Sequence, residues 1–317
     1  MMFRRLLQRG RIPVILLTAI WLLGGGPELA RATAPAPPPG VSVEYSAIEA
    51  RLLDAAAAGN IDRNWLLPAA LAACGERDEA RIERAVRKVE AWGEELAGRV
   101  AGDDNLRGRA AAVLDFLHAR VLQGGYRTDA NDLALTIEGG AYNCIGATVL
   151  FHCLAERCGL QVFAAESPGH VYSVVRSPSG GLDVETTCRD WFGPAMKPGD
   201  AQRSKAAREL TPSGLAALIY YNAGVDHLSA DRFAAATAAN LKALRLDPAN
   251  SAARGNLLAG LNNWALDRND RRDFVGAVRL LEHGLRIAPE HRPFNINRVA
   301  VQQRWSEATV AGTLCVP

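Results

Sequence analysis

The chain has 317 residues, of which 49% are hydrophobic and 22% charged, so it can bury a sizeable core and is not a disordered protein. Removal of the first 32 residues, which carry five arginines and one acid, would change the formal charge from +2 to −2. The chain would then be mildly acidic, and it has no basic stripe with interleaved aromatic residues. Nucleic acid is therefore not an expected partner.

The N-terminus has the pattern of a secretory signal. Four arginines precede an apolar run over residues 12–23, and small-residue cleavage sites follow within residues 30–34. The run is shorter than the about 20 apolar residues of a spanning helix. We therefore expect export to the periplasm or beyond, with an uncleaved anchor in the inner membrane as the alternative. Four prolines between residues 35 and 39 indicate a stiff, solvated linker, which separates residues 1–40 from the fold.

A helical N-terminal region over residues 41–105 comes next, and its helical pattern continues to Leu122. The following segment, residues 106–208, changes character. Asn143 is a strong N-cap residue, and the nearly continuous apolar run behind it predicts one buried helix that ends at Gly159. Three runs of strand-forming residues then begin near Gln161, His170 and Leu182. A helix packed on a small antiparallel sheet predicts an α+β core.

Residues 209–310 return to a helical pattern and contain an internal repeat. Aromatic, small and proline residues from Tyr220 to Pro248 stand at the spacing of the tetratricopeptide repeat, which the segment resembles. A second, weaker unit ends at Pro289. Its proline lies 41 residues after Pro248, where the repeat has about 34, so we expect about seven extra residues in a loop near residues 267–272.

Cys144 is the candidate nucleophile. It follows the proposed cap directly, so it should lie in the first helical turn, where the helix dipole and free N–H groups stabilise a thiolate. Cys153 and Cys158 lie further along the same helix and are expected to be buried and inert. His170 opens the second strand after a Ser-Pro-Gly turn, where an imidazole can reach the helix end and act as the base.

The residue that orients the histidine should be Glu185 or Asp183, and strand register decides between them. If Arg176 pairs with Gly181, Glu185 becomes the diagonal neighbour of His170 on one sheet face, whereas Asp183 lies two positions too far. If the hairpin loop holds one more residue, both carboxylates point away from His170. We favour Glu185, with Asp183 or a carboxylate from elsewhere as alternatives.

These motifs together resemble the transglutaminase-like proteins, including the SirB-type branch. The resemblance lies in Tyr-Asn-Cys-Ile-Gly-Ala-Thr over residues 142–148, Gly-His-Val-Tyr over residues 169–172 and Val-Glu-Thr-Thr over residues 184–187. It implies a papain-like fold and cleavage or transfer of amides through a thioester, with Cys144 attacking, His170 exchanging the proton and Glu185 holding the imidazole. Family members often have Ala-Trp after the histidine and Asp before the threonine, where this chain has Val-Tyr and Glu.

Two functions remain open at this point. The first is an exported cysteine hydrolase or transferase that acts on a peptide or protein substrate, with Tyr142 or Asn143 as candidates for completing an oxyanion site. The second is a catalytically inactive transglutaminase-like fold that binds a protein partner through its repeats. No His or Cys pair has the spacing of metal ligands and no glycine-rich motif fits a phosphate, so neither a metal nor a cofactor is expected.

Overall fold

The computed structural model describes residues 34–177, 180–189 and 207–312, without the side chains of residues 177 and 180. Residues 1–33, which include the predicted signal segment, therefore lie outside the described residues. The chain divides into two compact units. The first, called the α/β unit here, contains Tyr45–Asn222 and Arg245–Asp247, and the second, called the helical unit, contains the remaining described residues.

The α/β unit is built from helices and one antiparallel sheet, which confirms the α+β class expected from the sequence. Six helices come first: α1 (Ala47–Ala57), α2 (Leu66–Ala73), α3 (Glu79–Arg99), α4 (Leu106–Arg120), α5 (Leu133–Ile137) and α6 (Cys144–Arg157). Four strands follow: β1 (Val162–Ser167), β2 (His170–Ser177), β3 (Gly180–Val184) and β4 (Arg208–Leu210). The sheet order is β3-β2-β1-β4, and every neighbouring pair is antiparallel.

Helix α6 lies at the centre of the α/β unit. It packs on β1 and β2 and also contacts α2, α3 and α4. Val149, Leu150 and Phe151 are fully buried, as a helix with apolar residues on nearly all sides requires. The helix ends where the sequence predicted, because Gly159 has a φ of 72°, a left-handed conformation that glycine adopts readily.

The sheet register is the one that brings Glu185 towards His170. Arg176 pairs with Gly181, and the ladder between β2 and β3 ends with Ser173 opposite Val184. Strand β3 begins two residues before the predicted start near Leu182 and stops at Val184, one residue before Glu185. The backbone turns there, since the Cys188 N–H donates to the Glu185 carbonyl at 3.1 Å.

The helical unit contains consecutive helices with short connections. They are the last turns of α7 (Pro212–Ser229), most of α8 (Phe233–Leu246), and all of α9 (Ser251–Asp270), α10 (Phe274–Ile287) and α11 (Arg292–Val310). Helix α10 packs against both α9 and α11. Around Leu228, Phe233 and Ala259 these helices form a small apolar core. Among all the helices of the described residues, none combines the length and apolar character needed to cross a membrane.

Two sequence expectations about this unit were wrong. The extra residues of the second helical pair lie in α9, which has 20 residues and continues to Asp270, and only three residues connect it to α10. Buried Leu257, Leu261 and Ala265 continue one helix face along this length, so packing favours helix over loop. The proline segment is also not fully solvated, because Pro38 is buried and Pro39 lines a cavity beside Trp264.

Candidate active site

Cys144 is the first residue of α6, and the cap before it determines its position. Asn143 has extended backbone angles, and its side-chain oxygen accepts a hydrogen bond from the Gly146 N–H at 2.9 Å. The thiol-bearing residue is 9% exposed, so it lies at the margin of the core with the positive end of the helix dipole beside it.

His170 is the first residue of β2 and follows a tight turn. Gly169 adopts a φ of 77°, and His170 pairs with Ser167 to close the hairpin between β1 and β2. Its Nε2 atom lies 2.6 Å from Oε2 of Glu185. The ring also interacts with the Cys144 thiol. The imidazole therefore has both the thiol and the carboxylate as neighbours.

The charge state of His170 follows from these two neighbours. Burial alone lowers the pKa of the imidazole, but the hydrogen bonds and charges of Cys144 and Glu185 outweigh it and raise the pKa to about 10. Burial likewise raises the pKa of the Glu185 carboxyl, and its interactions with His170 and Thr187 reverse this and leave the pKa lowered. At neutral pH the pair is an imidazolium facing a carboxylate.

Glu185 is held by more than the histidine. Its Oε1 accepts a hydrogen bond from the Thr187 hydroxyl at 2.6 Å and from the Thr187 N–H at 3.2 Å. Both carboxylate oxygens are therefore engaged, and Oε2 is the one that faces the imidazole. Asp183, the alternative acid, pairs with Val174 within the ladder. The structure thus brings Glu185 and not Asp183 within hydrogen-bond distance of His170.

The segment that carries Glu185 is attached to two helices. Nε2 of His118, on α4, lies 3.1 Å from the Thr186 carbonyl oxygen. The Thr148 hydroxyl, on α6, lies 3.1 Å from the Thr186 hydroxyl. Thr186 is fully buried, so these bonds form in a region of low dielectric, where they restrict movement of the segment. The position of the acid is consequently fixed relative to the helix that carries Cys144.

The two oxyanion candidates occupy different positions. The Asn143 side chain is 4% exposed; its oxygen caps α6, and its nitrogen donates to Oδ1 of Asn131 at 2.9 Å. Tyr142 is also buried, with its ring edge-on to those of His118 and Tyr126. Burial, followed by the nearby Cys188, raises the pKa of its phenol. Asn143 thus serves as a cap, and an oxyanion role for either residue stays a prediction.

Tyr126 is a site residue that the sequence reasoning missed. The Tyr142 N–H donates to the Gly125 carbonyl at 3.1 Å, and the Arg127 N–H donates to the Tyr142 carbonyl at 2.9 Å. This short parallel bridge brings Tyr126 next to the start of α6. Burial raises the pKa of its phenol to about 12, and the charge and hydrogen bond of Cys144 add to the effect. Tyr126 is nevertheless 46% exposed, so this neighbour of the thiol also meets solvent.

One local signal for Tyr126 was present in the sequence. Gly124 and Gly125 stand directly before it, and a Cβ atom on Gly124 would overlap the backbone of Gly140 and Ala141. A glycine pair at such a place indicates a close approach of two backbone segments rather than only a helix end. The pattern does not say which segment approaches, and so it could not identify Tyr126.

The remaining thiols of the described residues differ from Cys144. Cys153 and Cys158 are buried, as expected, and burial raises the pKa of Cys153 to about 12. Burial also raises the pKa of Cys74 to about 12, whereas Cys188 is exposed. Within the described part of the chain, no group of three or more His, Cys, Asp or Glu side chains could hold a metal ion. Comparisons with protein-family models, with curated proteins and with solved structures found no match.

Proposed function

We propose that the α/β unit is an amide-directed cysteine hydrolase or transferase with the papain-like, transglutaminase-like core that its motifs resemble. The observation that carries the proposal is the position of the His170 ring, which lies 2.6 Å from Glu185 and also interacts with the Cys144 thiol. A nucleophile, a base and a residue that orients the base are the three parts that thiol catalysis needs.

The reaction would begin with the Cys144 thiolate. Its sulfur attacks the carbonyl carbon of the amide, and the carbonyl oxygen takes the negative charge. The C–N bond then breaks, and the amine leaves with a proton from the His170 imidazolium, so that a thioester remains on Cys144. Water or an acceptor amine next gives a proton to His170 and attacks the thioester. The C–S bond breaks, and an acid or a new amide leaves the restored thiolate beside the His170 imidazolium.

Glu185 and Tyr126 would assist this sequence in different ways. The Glu185 carboxylate keeps the imidazole in one orientation and stabilises its positive charge. The Tyr126 phenol borders the thiol and remains protonated at neutral pH, since its pKa is about 12. It can therefore donate a hydrogen bond, first to the thiolate and then to the developing oxyanion. We propose Tyr126 for this role beside the earlier candidates Tyr142 and Asn143.

The proposals for the substrate class and the location rest on the sequence alone. The resemblance implies a peptide or protein amide as substrate, and the arginine-flanked apolar run of the first 23 residues favours export. The helical unit would then present the substrate or a protein partner. Its helices α9, α10 and α11 pack in sequence with short connections, an arrangement that supports the resemblance to tetratricopeptide repeats.

Thiol reactivity tests the proposal directly. In a Cys188→Ser background, which removes the exposed thiol of the described residues, iodoacetamide should label Cys144 first at pH 6 to 7, as located by peptide mass spectrometry. His170→Ala should slow this labelling at least about tenfold, because the thiolate loses its cationic partner. His227→Gln, a histidine of the helical unit, is the matched control and should leave the rate unchanged.

A second measurement tests whether the thiol forms an acyl-enzyme and turns over. With p-nitrophenyl acetate as acyl donor, the protein should release one equivalent of p-nitrophenol in a burst and carry an acetyl group on Cys144. If Cys144 is labelled no faster than an ordinary thiol and gives no burst, the enzyme proposal is wrong. The alternative is then a binding scaffold, for which a Cys144→Ala protein would retain full function in the producing organism.

A further inference from the structure

Asn131 connects the start of the nucleophile helix with a distant part of the α/β unit. It stands in the loop before α5, and its Oδ1 accepts a hydrogen bond from Nδ2 of Asn143 at 2.9 Å. The same oxygen accepts a second hydrogen bond from Nδ2 of Asn222, on α7, at 3.2 Å. Three asparagines that lie far apart in the sequence thus meet at one oxygen atom.

This contact determines which way the Asn143 amide faces. A carboxamide can rotate by about 180° and exchange the positions of its oxygen and nitrogen, and only one orientation caps α6. With Oδ1 towards the Gly146 N–H, Nδ2 faces Oδ1 of Asn131. In the reversed orientation two N–H donors would meet at Gly146 and two oxygens would meet at Asn131. The acceptor on Asn131 therefore selects the capping orientation.

The surroundings of Asn143 offer few other groups that could orient its amide. Asn143 is 4% exposed, so water has little access to its amide. Asn131 and Asn143 border a small cavity lined by Cys74, Leu133 and Ile145. Of the other side chains that line it, Thr136 is the one with a strong acceptor, and its hydroxyl is already bonded to the carbonyls of Asp132 and Ala141.

We propose that Asn131 is a positioning residue for Cys144 that acts through Asn143, and that Asn222 holds Asn131 in place. The inference rests on the proposed function, because it concerns the reactivity of the same thiol. The cap sets the geometry of the first turn of α6, and Cys144 is the first residue of that turn. A displaced turn would move the sulfur away from the His170 imidazole and reduce the reactive fraction of the thiol.

A double-mutant cycle on the full chain tests this mechanism. In the Cys188→Ser background, the second-order rate of Cys144 alkylation is measured at pH 6.5 for Asn131→Ala, Asn143→Ala and the double variant. Asn131→Ala should slow alkylation about fivefold, the effect of one neutral hydrogen bond. In the Asn143→Ala background the same change should have no further effect, because no amide remains to be oriented.

Asn131→Asp provides a variant that keeps the acceptor at nearly the same shape. It should alkylate within about twofold of the parent protein, and Asn222→Ala should slow the reaction less than Asn131→Ala does. An unchanged rate in Asn131→Ala, or equal slowing by that change in both backgrounds, would overturn the positioning role while leaving fast Cys144 chemistry intact. Slow alkylation of Cys144 in the parent protein would instead overturn the proposed function and this inference together.

Discussion

Nε2 of His170 lies 2.6 Å from Oε2 of Glu185, although Glu185 stands one residue past the end of β3. Outside the ladder, its backbone is free to turn, and the turn lets Thr187 bind Oε1. A carboxylate with one oxygen occupied presents the other in a defined direction. The glutamate side chain is one methylene longer than that of aspartate. Because β3 ends before Glu185, this longer side chain can still place its carboxylate beside His170.

Removing the Glu185 charge should lower the pKa of His170. The carboxylate is one of two neighbours that raise this pKa to about 10 against the effect of burial. A charge-assisted hydrogen bond contributes about 1.5–3 kcal/mol, so Glu185→Gln should lower the pKa by about one to two pH units. NMR titration of the protein with histidines labelled at Cε1 measures the pKa of His170. Asp183→Asn, two residues earlier in the chain, should leave the titration of His170 unchanged.

The dependence of stability on pH should carry the signature of the same histidine. Its pKa rises from an unfolded value of 6.5 to about 10 in the folded protein. The stabilisation is therefore fully present below pH 6.5 and is lost as the pH rises from 6.5 to 10. Urea unfolding at pH 6, 8 and 10 should show a wild-type free energy that falls more steeply than that of His170→Gln. Parallel curves for the two proteins would contradict the raised pKa.

Local chemistry explains which parts of the site could be read from the sequence. A cap residue, an apolar run and a glycine stop are signals within one segment, and they predicted α6 with Cys144 at its start. The alternation of β2 and β3 restricted the acid to two residues, and the observed register favours Glu185. These inferences needed only the periods of helix and strand and one hairpin.

Residues that reach the site from other segments could not be read in this way. Tyr126 and Asn131 lie in irregular backbone, and a parallel bridge and side-chain hydrogen bonds bring them to α6. Neither contact leaves a periodic pattern in the sequence. The length of α9 was also predicted wrongly, because the repeat pattern gives only an expected spacing between units. Tertiary packing extends the helix through the extra residues. The sequence pattern therefore lacks information about contacts between distant segments.

Tyr126→Phe should reduce the reactivity of Cys144. The change removes only the hydroxyl that interacts with the thiol, and because the side chain is 46% exposed the loss should be near 1 kcal/mol. This corresponds to about fivefold slower alkylation at pH 6. Tyr172→Phe, which keeps the ring stacked on His170, should react within about twofold of the parent protein. Faster alkylation of Tyr126→Phe would mean that the phenol only shields the sulfur.

Two glycines of the helical unit should respond in opposite ways to a single methyl group. A Cβ atom on Gly284, in α10, would overlap the ring of Phe294, which is fully buried on α11. On Gly260, in α9, the nearest atom would be a Leu228 methyl at 3.8 Å, an ordinary contact. Overpacking of a core costs about 1–3 kcal/mol, whereas alanine stabilises a helix interior relative to glycine by about 1 kcal/mol.

Scanning calorimetry should therefore show a lower midpoint of thermal unfolding for Gly284→Ala and an equal or higher midpoint for Gly260→Ala. A Gly284→Ala, Phe294→Leu double variant separates overlap from other causes, because the smaller side chain vacates the position that the methyl group needs. In that background Gly284→Ala should cost less than it does beside Phe294. If the glycine change costs the same in both backgrounds, the contact between α10 and α11 is not what requires glycine at position 284.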